Sequence, residues 1–198
     1  MAGNRNDVDG NANRIKGNRN EVNGNTNSIW GCDNDVDGSN NAIEGGKNNV
    51  DGNRNKVLGH SNDIDGNRNS VWGYNNDVDG NVNTVIGCSN DVDGNRNYVY
   101  GKNNDIDGSW NEVDGNCNDV DGYNNDVDGH KNNVKGYKND VDGNGNKVKG
   151  KVNNVTGSGN TVQGKGNVVY SSNRPNNKRV VFDKYYWWFD DQLIIYER

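Results

Sequence analysis

Residues 91–97 read DVDGNRN, and the same order of glycine, asparagine and valine positions runs through most of the chain. Glycine occupies every seventh position from Gly3 to Gly164, which is 24 positions without a gap. An asparagine follows each of these glycines by three residues, and a valine or isoleucine follows by five. The repeating unit is therefore G-x-x-N-x-[VI]-x, in which only the x positions vary.

A seven-residue period is also typical of a coiled coil, but that fold needs two apolar positions in each heptad. Here each heptad holds one valine or isoleucine and a glycine, which costs about 1 kcal/mol inside a helix. In a β-strand, by contrast, alternation places the asparagine and the valine on one side and the residues flanking the valine on the other. We therefore predict an all-β fold of short N-x-[VI]-x strands joined by turns centred on glycine.

The residues that flank the valine or isoleucine differ between odd-numbered and even-numbered repeats. Odd repeats carry mostly aspartate pairs, even repeats carry mixed residues, and sorting by every third repeat scatters the pairs. This alternation predicts two heptads per coil, and thus a two-sided β-solenoid (β-roll) of about 12 coils with 14 residues in each coil. Parallel, in-register strands would then stack valine and asparagine in buried columns, where each asparagine bonds its neighbours along a ladder.

Composition excludes several classes of protein. Hydrophobic residues make up 29% of the chain and the mean hydropathy is -1.18, so without its period the sequence would be read as disordered. The net charge of -6 argues against nonspecific nucleic-acid binding. We expect no membrane span and no signal peptide, because neither apolar pattern is present. Three cysteines do not form a disulfide framework, and unpaired thiols favour the cytoplasm.

The heptad resembles the x-x-N-x-V-x-G repeat of the ice-binding (ice recrystallisation inhibition) proteins of cold-tolerant grasses. The resemblance covers residues 3–169, and the asparagine, valine and glycine positions agree in every repeat. It implies a left-handed two-sided β-roll with valine and asparagine inside. In that family the ice-facing residues beside the valine are often threonine or serine. Threonine stands beside the valine here only at Thr84, Thr156 and Thr161.

Odd repeats predict an acidic ladder on one face, with carboxylates stacked about 4.7 Å apart. Three roles are open for it: a solvated face that discourages lateral pairing, a cation-bridged ladder for which calcium is the candidate, or a mimic of the DNA backbone. The sequence matches neither of the common calcium-binding repeats. The ladder residues are Asp35, Asp37, Asp63, Asp65, Asp77, Asp79, Asp91, Asp93, Asp105 and Asp107.

Even repeats predict an exposed apolar stripe in the N-terminal half of the opposite face. Such a stripe indicates contact with a partner, and self-association as a dimer or lateral assembly is the first interpretation. The alternative, which the family resemblance implies, is that the same flat face binds an ice surface. The residues of this interaction face are Trp30, Leu58, Trp72, Thr84, Ile86, Tyr98 and Tyr100.

The heptads end at residue 169, and residues 170–198 form a second segment with a different composition. It contains both phenylalanines of the chain and two of its five tryptophans. A solenoid needs its open end covered, so we predict an aromatic cap, with docking as the alternative role. The residues expected to carry this role are Phe182, Tyr185, Tyr186, Trp187, Trp188 and Phe189.

Catalysis has little support in the sequence, and we predict a non-enzymatic structural or interaction protein without a cofactor other than the calcium considered above. The few groups suited to chemistry, such as Cys32, His60 and Cys88, are predicted to lie in turns two coils apart from one another. At about 9 to 10 Å, that separation is too large for a shared zinc ion.

Overall fold

The computed structural model describes residues 2–170 in full and residues 179–181, 185–189 and 192–196 by their backbone. The chain divides into two compact units, Met1–Tyr100 and Gly101–Arg198. All regular elements among the described residues are β-strands. In that part of the chain no helix is long and apolar enough to cross a membrane.

In the first unit, odd-numbered strands form one parallel sheet and even-numbered strands form another, each in the order of the chain. We call them the odd sheet and the even sheet. The strands are β1 (Asp7–Asp9), β2 (Arg14–Lys16), β3 (Glu21–Asn23), β4 (Ser28–Cys32), β5 (Asp35–Asp37), β6 (Ala42–Gly46), β7 (Asn49–Asp51), β8 (Lys56–His60), β9 (Asp63–Asp65), β10 (Ser70–Tyr74), β11 (Asp77–Asn81), β12 (Thr84–Cys88), β13 (Asp91–Asn95) and β14 (Tyr98–Lys102), which begins in this unit.

The second unit repeats the same alternation of odd and even strands and ends in an antiparallel hairpin of β26 and β27. Its strands are β15 (Asp105–Ser109), β16 (Glu112–Asn116), β17 (Asp119–Tyr123), β18 (Asp126–His130), β19 (Asn133–Tyr137), β20 (Asp140–Asn144), β21 (Lys147–Lys151), β22 (Asn154–Thr156), β23 (Thr161–Lys165), β24 (Val168–Tyr170), β25 (Arg179–Val181), β26 (Tyr185–Phe189) and β27 (Gln192–Tyr196).

Strands pair in register with the strand 14 residues away, as in the pairing of Val71 with Val85 between β10 and β12. The prediction of a parallel two-sheet β-solenoid with 14 residues per coil and about 12 coils is therefore confirmed. The C-terminal segment does not follow the heptad. There β25 extends the odd sheet beside β23, and β26 and β27 pair only with each other.

Valine and isoleucine fill the interior of both units. From Ile15 to Val169 every repeat buries this side chain, and most of these residues are 0–2% exposed. Burying each one contributes roughly 1.5–3 kcal/mol, before the cost of ordering the chain. Among the described repeats, only Val8 of β1 is half-buried. One apolar residue per heptad is thus enough for a core, since stacking makes it continuous.

Buried asparagines satisfy one another from coil to coil. The backbone N–H of Asn62 and its Nδ2 both donate to Oδ1 of Asn48, at 3.1 and 3.0 Å. The same Nδ2 also donates to the carbonyl oxygen of Gly73, at 3.1 Å. In turn, Oδ1 of Asn62 accepts from the backbone and side chain of Asn76. Asn62 is only 1% exposed, yet every polar atom of its side chain has a hydrogen-bond partner, so its burial leaves no polar group unpaired.

A second asparagine ladder, which the sequence analysis did not predict, runs along the surface of the first unit. Asn53 donates through its backbone N–H and its Nδ2 to Oδ1 of Asn67, at 3.0 and 3.1 Å. Asn67 bonds Asn81, and Asn81 bonds Asn95, in the same way. Each of these residues directly follows the glycine that comes after the outward pair of an odd strand. One corner of the coil is thereby held by side chains as well as by backbone.

The turns differ from the prediction. In all 24 repeats, the residue two positions after the glycine has φ between +52° and +71°, and 21 of these residues are not glycine. This left-handed conformation costs about 1–2 kcal/mol for an ordinary residue. The predicted placement of Cys32, His60 and Cys88 in turns is wrong, because these residues end the extended strands β4, β8 and β12. The coil bends at the residue that follows each of them, which has the left-handed conformation.

Glycine itself is required by close packing between coils. At Gly73, φ is +141°, and a Cβ atom would overlap the carbonyl oxygen of Gly87 in the next coil. That oxygen belongs to the backbone and cannot move aside without breaking the ladder. Gly145 differs, because its φ is +66° and nothing lies within 4 Å of a Cβ there.

We therefore expect Gly73→Ala to lower the free energy of unfolding by about 4 kcal/mol or more, because the clash falls on the backbone of two coils. Gly145→Ala is the matched control and should cost about 1–2 kcal/mol, the ordinary penalty of a left-handed residue. Urea unfolding followed by circular dichroism measures both values. Equal losses in the two variants would contradict the close approach of the coils as the reason for this glycine.

Candidate functional site

The predicted interaction-face residues all lie on the outer side of the even sheet in the first unit. Trp72 of β10 pairs with Leu58 of β8 and with Ile86 of β12. Trp30 of β4 lies two coils below Leu58, and Glu44 stands between them. The exposed fractions are 46% for Trp30, 45% for Leu58, 37% for Trp72, 44% for Tyr98 and 50% for Tyr100, while Thr84 and Ile86 are half-buried.

Within this face, the two outward positions beside the valine carry no formally charged side chain on three successive strands. Ser70 and Trp72, then Thr84 and Ile86, follow one another in register on β10 and β12. Tyr98 and Tyr100 occupy the same two positions on β14, the next strand of the sheet. We call these six residues the uncharged section. Below it, Lys56 and Glu44 introduce charge again.

Below the uncharged section, the even sheet holds a trough. It has a volume of 410 Å³ and lies between the indole rings of Trp30 and Trp72. We call it the tryptophan trough. Its depth arises because small side chains, those of Ser28 and Ala42, stand in the column beside the large ones. The other lining residues are Ile43, Glu44, Lys56, Val57 and Leu58.

Basic side chains contact both tryptophans of the trough. The guanidinium carbon of Arg14 lies 5.9 Å from the Trp30 ring centroid, and Nζ of Lys16 lies 5.8 Å from it. Nζ of Lys56 lies 5.5 Å from the ring centroid of Trp72. At these distances the positive charge is attracted to the ring face. These contacts were not predicted from the sequence, although each cation lies on the strand one coil below its tryptophan. Lys16 is at the position paired with Trp30, whereas Arg14 and Lys56 are at the other outward position of their strands.

The predicted acidic ladder lies on the outer side of the odd sheet. Asp77 pairs with Asp63 and Asp91, and Asp79 pairs with Asp65 and Asp93, so carboxylates stand directly above one another. Burial, reinforced by the neighbouring carboxylates, raises the pKa of Asp77 and that of Asp79. The remaining ladder residues, Asp35, Asp37, Asp105 and Asp107, occupy the same outward positions on β5 and β15.

Within the described residues, no three histidine, cysteine, aspartate or glutamate side chains are grouped so that they could hold one metal ion. Calcium binding by the ladder therefore stays a prediction. The three cysteines have free thiols, in different coils. Cys88 is buried, and the hydrogen bond between it and the Tyr74 phenol raises the pKa of Tyr74.

The second unit is acidic on its even sheet as well. Asp126 stands between Glu112 and Asp140, and Asp128 stands between Asp114 and Asp142. Burial and these neighbours raise the pKa of Asp126 and of Asp128. The even sheet of the second unit is thus acidic from Glu112 to Asp142, and uncharged outward residues return on its last two strands, β22 and β24.

The structure does not test the predicted cap, because it describes no side chain of the residues concerned. Tyr185, Tyr186, Trp187, Trp188 and Phe189 form strand β26, of which only the backbone is described, and Phe182 lies outside the described residues. A capping or docking role for residues 170–198 stays a prediction.

Comparison with protein families identifies a family whose model matches both units. The family model described as grass antifreeze beta roll matches residues 1–87 and again residues 86–171. Together the two matches cover the heptad repeats of both units. No curated protein matches the chain.

The acidic columns predict an unusual dependence of stability on pH. Because the pKa values of Asp77 and Asp79 are raised above 3.8 in the folded state, the folded chain binds more protons than the unfolded chain just above that pH. The ionised carboxyl groups therefore destabilise the fold at neutral pH. This loss of stability disappears as the pH falls through their folded pKa values. We expect Asp77→Asn/Asp79→Asn to raise the melting temperature at about pH 7 and to leave it nearly unchanged at about pH 4.

Asp33→Asn is the control, because the pKa of Asp33 is lowered in the folded state, whereas those of Asp77 and Asp79 are raised. Arg19 donates a hydrogen bond to Asp33 and lowers the pKa of that carboxyl, so the pair stabilises the fold at neutral pH. Its loss should leave the melting temperature at about pH 7 the same or slightly lower, since both side chains are at the surface. A lower melting temperature at pH 7 in the ladder variant would contradict repulsion between the stacked carboxylates.

Proposed function

Because the chain belongs to the grass antifreeze beta roll family, we propose that it is a non-enzymatic ice-binding protein that uses the uncharged section of its even sheet. The observation that carries the choice of face is the distribution of charge. The outward positions beside the valine on three successive even strands, from Ser70 to Tyr100, carry no formal charge, whereas most strands of the odd sheet present two carboxylates.

Charge decides between the two faces because an ion is stabilised by water molecules that can reorient around it. Removing that hydration without a replacement is costly. In ice the molecules are fixed in a lattice, so a carboxylate at the contact loses much of its hydration. Hydroxyl groups such as those of Ser70 and Thr84 can join water hydrogen bonds without a charge, and Trp72 and Ile86 beside them have few water bonds to lose.

Regular spacing is the second support for the proposal. In-register pairing repeats the same outward positions in each coil, about 4.8 Å apart. The parallel sheet and the buried ladders hold these positions on a rigid backbone, so the side chains meet a crystalline surface with little loss of conformational freedom. The carboxylates of the odd sheet keep the opposite face hydrated.

Self-association is the second candidate function, and the exposure of the stripe favours it. Trp30, Leu58 and Tyr100 each keep about half of their surface accessible in a chain with few apolar residues. Contiguous apolar surface of this kind is uncommon on monomers and is often an interface. A dimer formed through this stripe would cover the uncharged section, so the two candidate functions compete for the same face.

We expect Thr84→Lys to abolish most ice recrystallisation inhibition and thermal hysteresis, because it places a charge in the centre of the uncharged section. Asp79→Lys is the matched control, since it introduces the same side chain on the odd sheet and should retain the activity. Thr84→Lys should unfold close to the melting temperature of the original protein, and Asp79→Lys at the same temperature or a higher one, since it removes a carboxylate from the ladder. Equal activity in Thr84→Lys and the original chain would contradict the choice of face.

Sedimentation velocity over a range of protein concentrations separates the two candidate functions. An ice-binding monomer keeps one sedimentation coefficient, and Leu58→Glu does not change it. A concentration-dependent dimer that Leu58→Glu dissociates, in a chain without activity toward ice, would favour self-association instead.

A further inference from the structure

The tryptophan trough has the features of a ligand site that ice binding does not use. It is concave and has two indole walls and a largely apolar floor, with few polar groups. Trp30, Ala42 and Glu44 lie one or more coils below the uncharged section. Pockets of this volume and composition are the usual sites for small molecules in proteins.

The charges of the trough restrict the chemistry of its ligand. A cation would meet Lys56 of the lining, whose Nζ already lies over the Trp72 ring, and the positive charges of Arg14 and Lys16, which lie over the Trp30 ring from outside the lining. An anion would meet the carboxylate of Glu44 in the wall of the trough. A wholly apolar ligand would remove water from Glu44 and Lys56 without replacing their hydrogen bonds, which is costly. The ligand must therefore be neutral and rich in both donors and acceptors.

A pyranose ring meets these requirements. Its axial C–H groups form an apolar face that packs on the π-face of an indole, where the ring quadrupole is negative. Its hydroxyl groups, directed outward from the ring, can donate to Glu44 and accept from Lys56 and Ser28. Such a ligand supplies an apolar surface and both kinds of hydrogen-bonding group at once.

The separation of the two tryptophans indicates a chain of linked rings. Trp30 and Trp72 stand three coils apart, which is roughly 14 Å along the sheet. One sugar ring cannot contact both indoles across that distance. The even sheet is extended in this direction, so a flat, extended oligosaccharide fits it better than a helical one.

We propose that the tryptophan trough binds a neutral glycan, of the extended type in which pyranose rings are joined through β-1,4 linkages. The site is separate from the uncharged section except for Trp72, which borders both. Binding at the trough and activity toward ice should therefore respond to different substitutions.

Cellotetraose is the probe, and its binding is measured by calorimetry and by tryptophan fluorescence of the full chain. We expect saturable binding of one tetrasaccharide per chain. Trp30→Ala should weaken it by about tenfold or more, since a stacking contact is worth up to about 1.5 kcal/mol beyond its buried area. Ala42→Tyr, which fills the floor and leaves both indoles in place, should weaken it as well.

Trp110→Ala is the matched control, because Trp110 is an exposed tryptophan outside the trough, and it should bind cellotetraose unchanged. Thr84→Lys should also bind it unchanged while losing activity toward ice, which separates this proposal from the proposed function.

The proposal is overturned if the original chain shows no saturable binding of cellotetraose, or if Trp30→Ala and Trp110→Ala weaken that binding equally. Tighter binding of tetragalacturonate would overturn it too, because the occupant would then be an anion. The proposal would also be overturned if the trough variants changed the sedimentation coefficient without changing cellotetraose binding, because the occupant would then be a second copy of the chain.

Discussion

The hydrogen bonds between buried asparagines of successive coils are the interaction on which the rest of each unit depends. Asn62 bonds Asn48 on one side and Asn76 on the other, and its Nδ2 also satisfies the carbonyl oxygen of Gly73. This geometry requires coils of equal length, since one added residue would move the asparagine to the other face of its strand. The same close stacking of equal coils explains the other two fixed positions of each heptad. Glycine allows the backbones of successive coils to approach, and valine fills the space between the asparagine ladders.

Because the buried positions are fixed, the proposed functions use the two outward positions beside the valine of each strand. The odd sheet of the first unit uses them for stacked carboxylates, of which Asp77 and Asp79 have raised pKa values. The even sheet uses them for uncharged side chains in some coils and for the tryptophan trough in others. A rigid scaffold with one repeated backbone can in this way carry surfaces of different chemistry without any change in its core.

The sequence alone was sufficient for the buried half of the structure, because the period is free of exceptions and each of its residue types has one physical role. It was insufficient for the corners. Arg54 and Val82 adopt left-handed φ values that neither residue favours alone, so only the tertiary structure accounts for them. The outer ladder through Asn67 was missed because asparagine after glycine is also typical of an ordinary turn. The trough was missed because it depends on how Trp30 and Lys56 pack between coils.

Urea unfolding of Asn62→Ala beside Asn67→Ala tests the central claim most directly. The first variant leaves the carbonyl oxygen of Gly73 and the backbone N–H of Asn76 buried without their side-chain partners, and each such group costs about 1–3 kcal/mol. The second removes bonds of similar geometry in the exposed ladder, namely those that Oδ1 of Asn67 accepts from Asn53 and the one that its Nδ2 donates to Asn81, and water replaces them. We predict a loss of roughly 3 kcal/mol or more in the free energy of unfolding for Asn62→Ala and about 1 kcal/mol for Asn67→Ala. Equal, small losses in both variants would contradict the buried asparagine ladder as the interaction that holds the coils together.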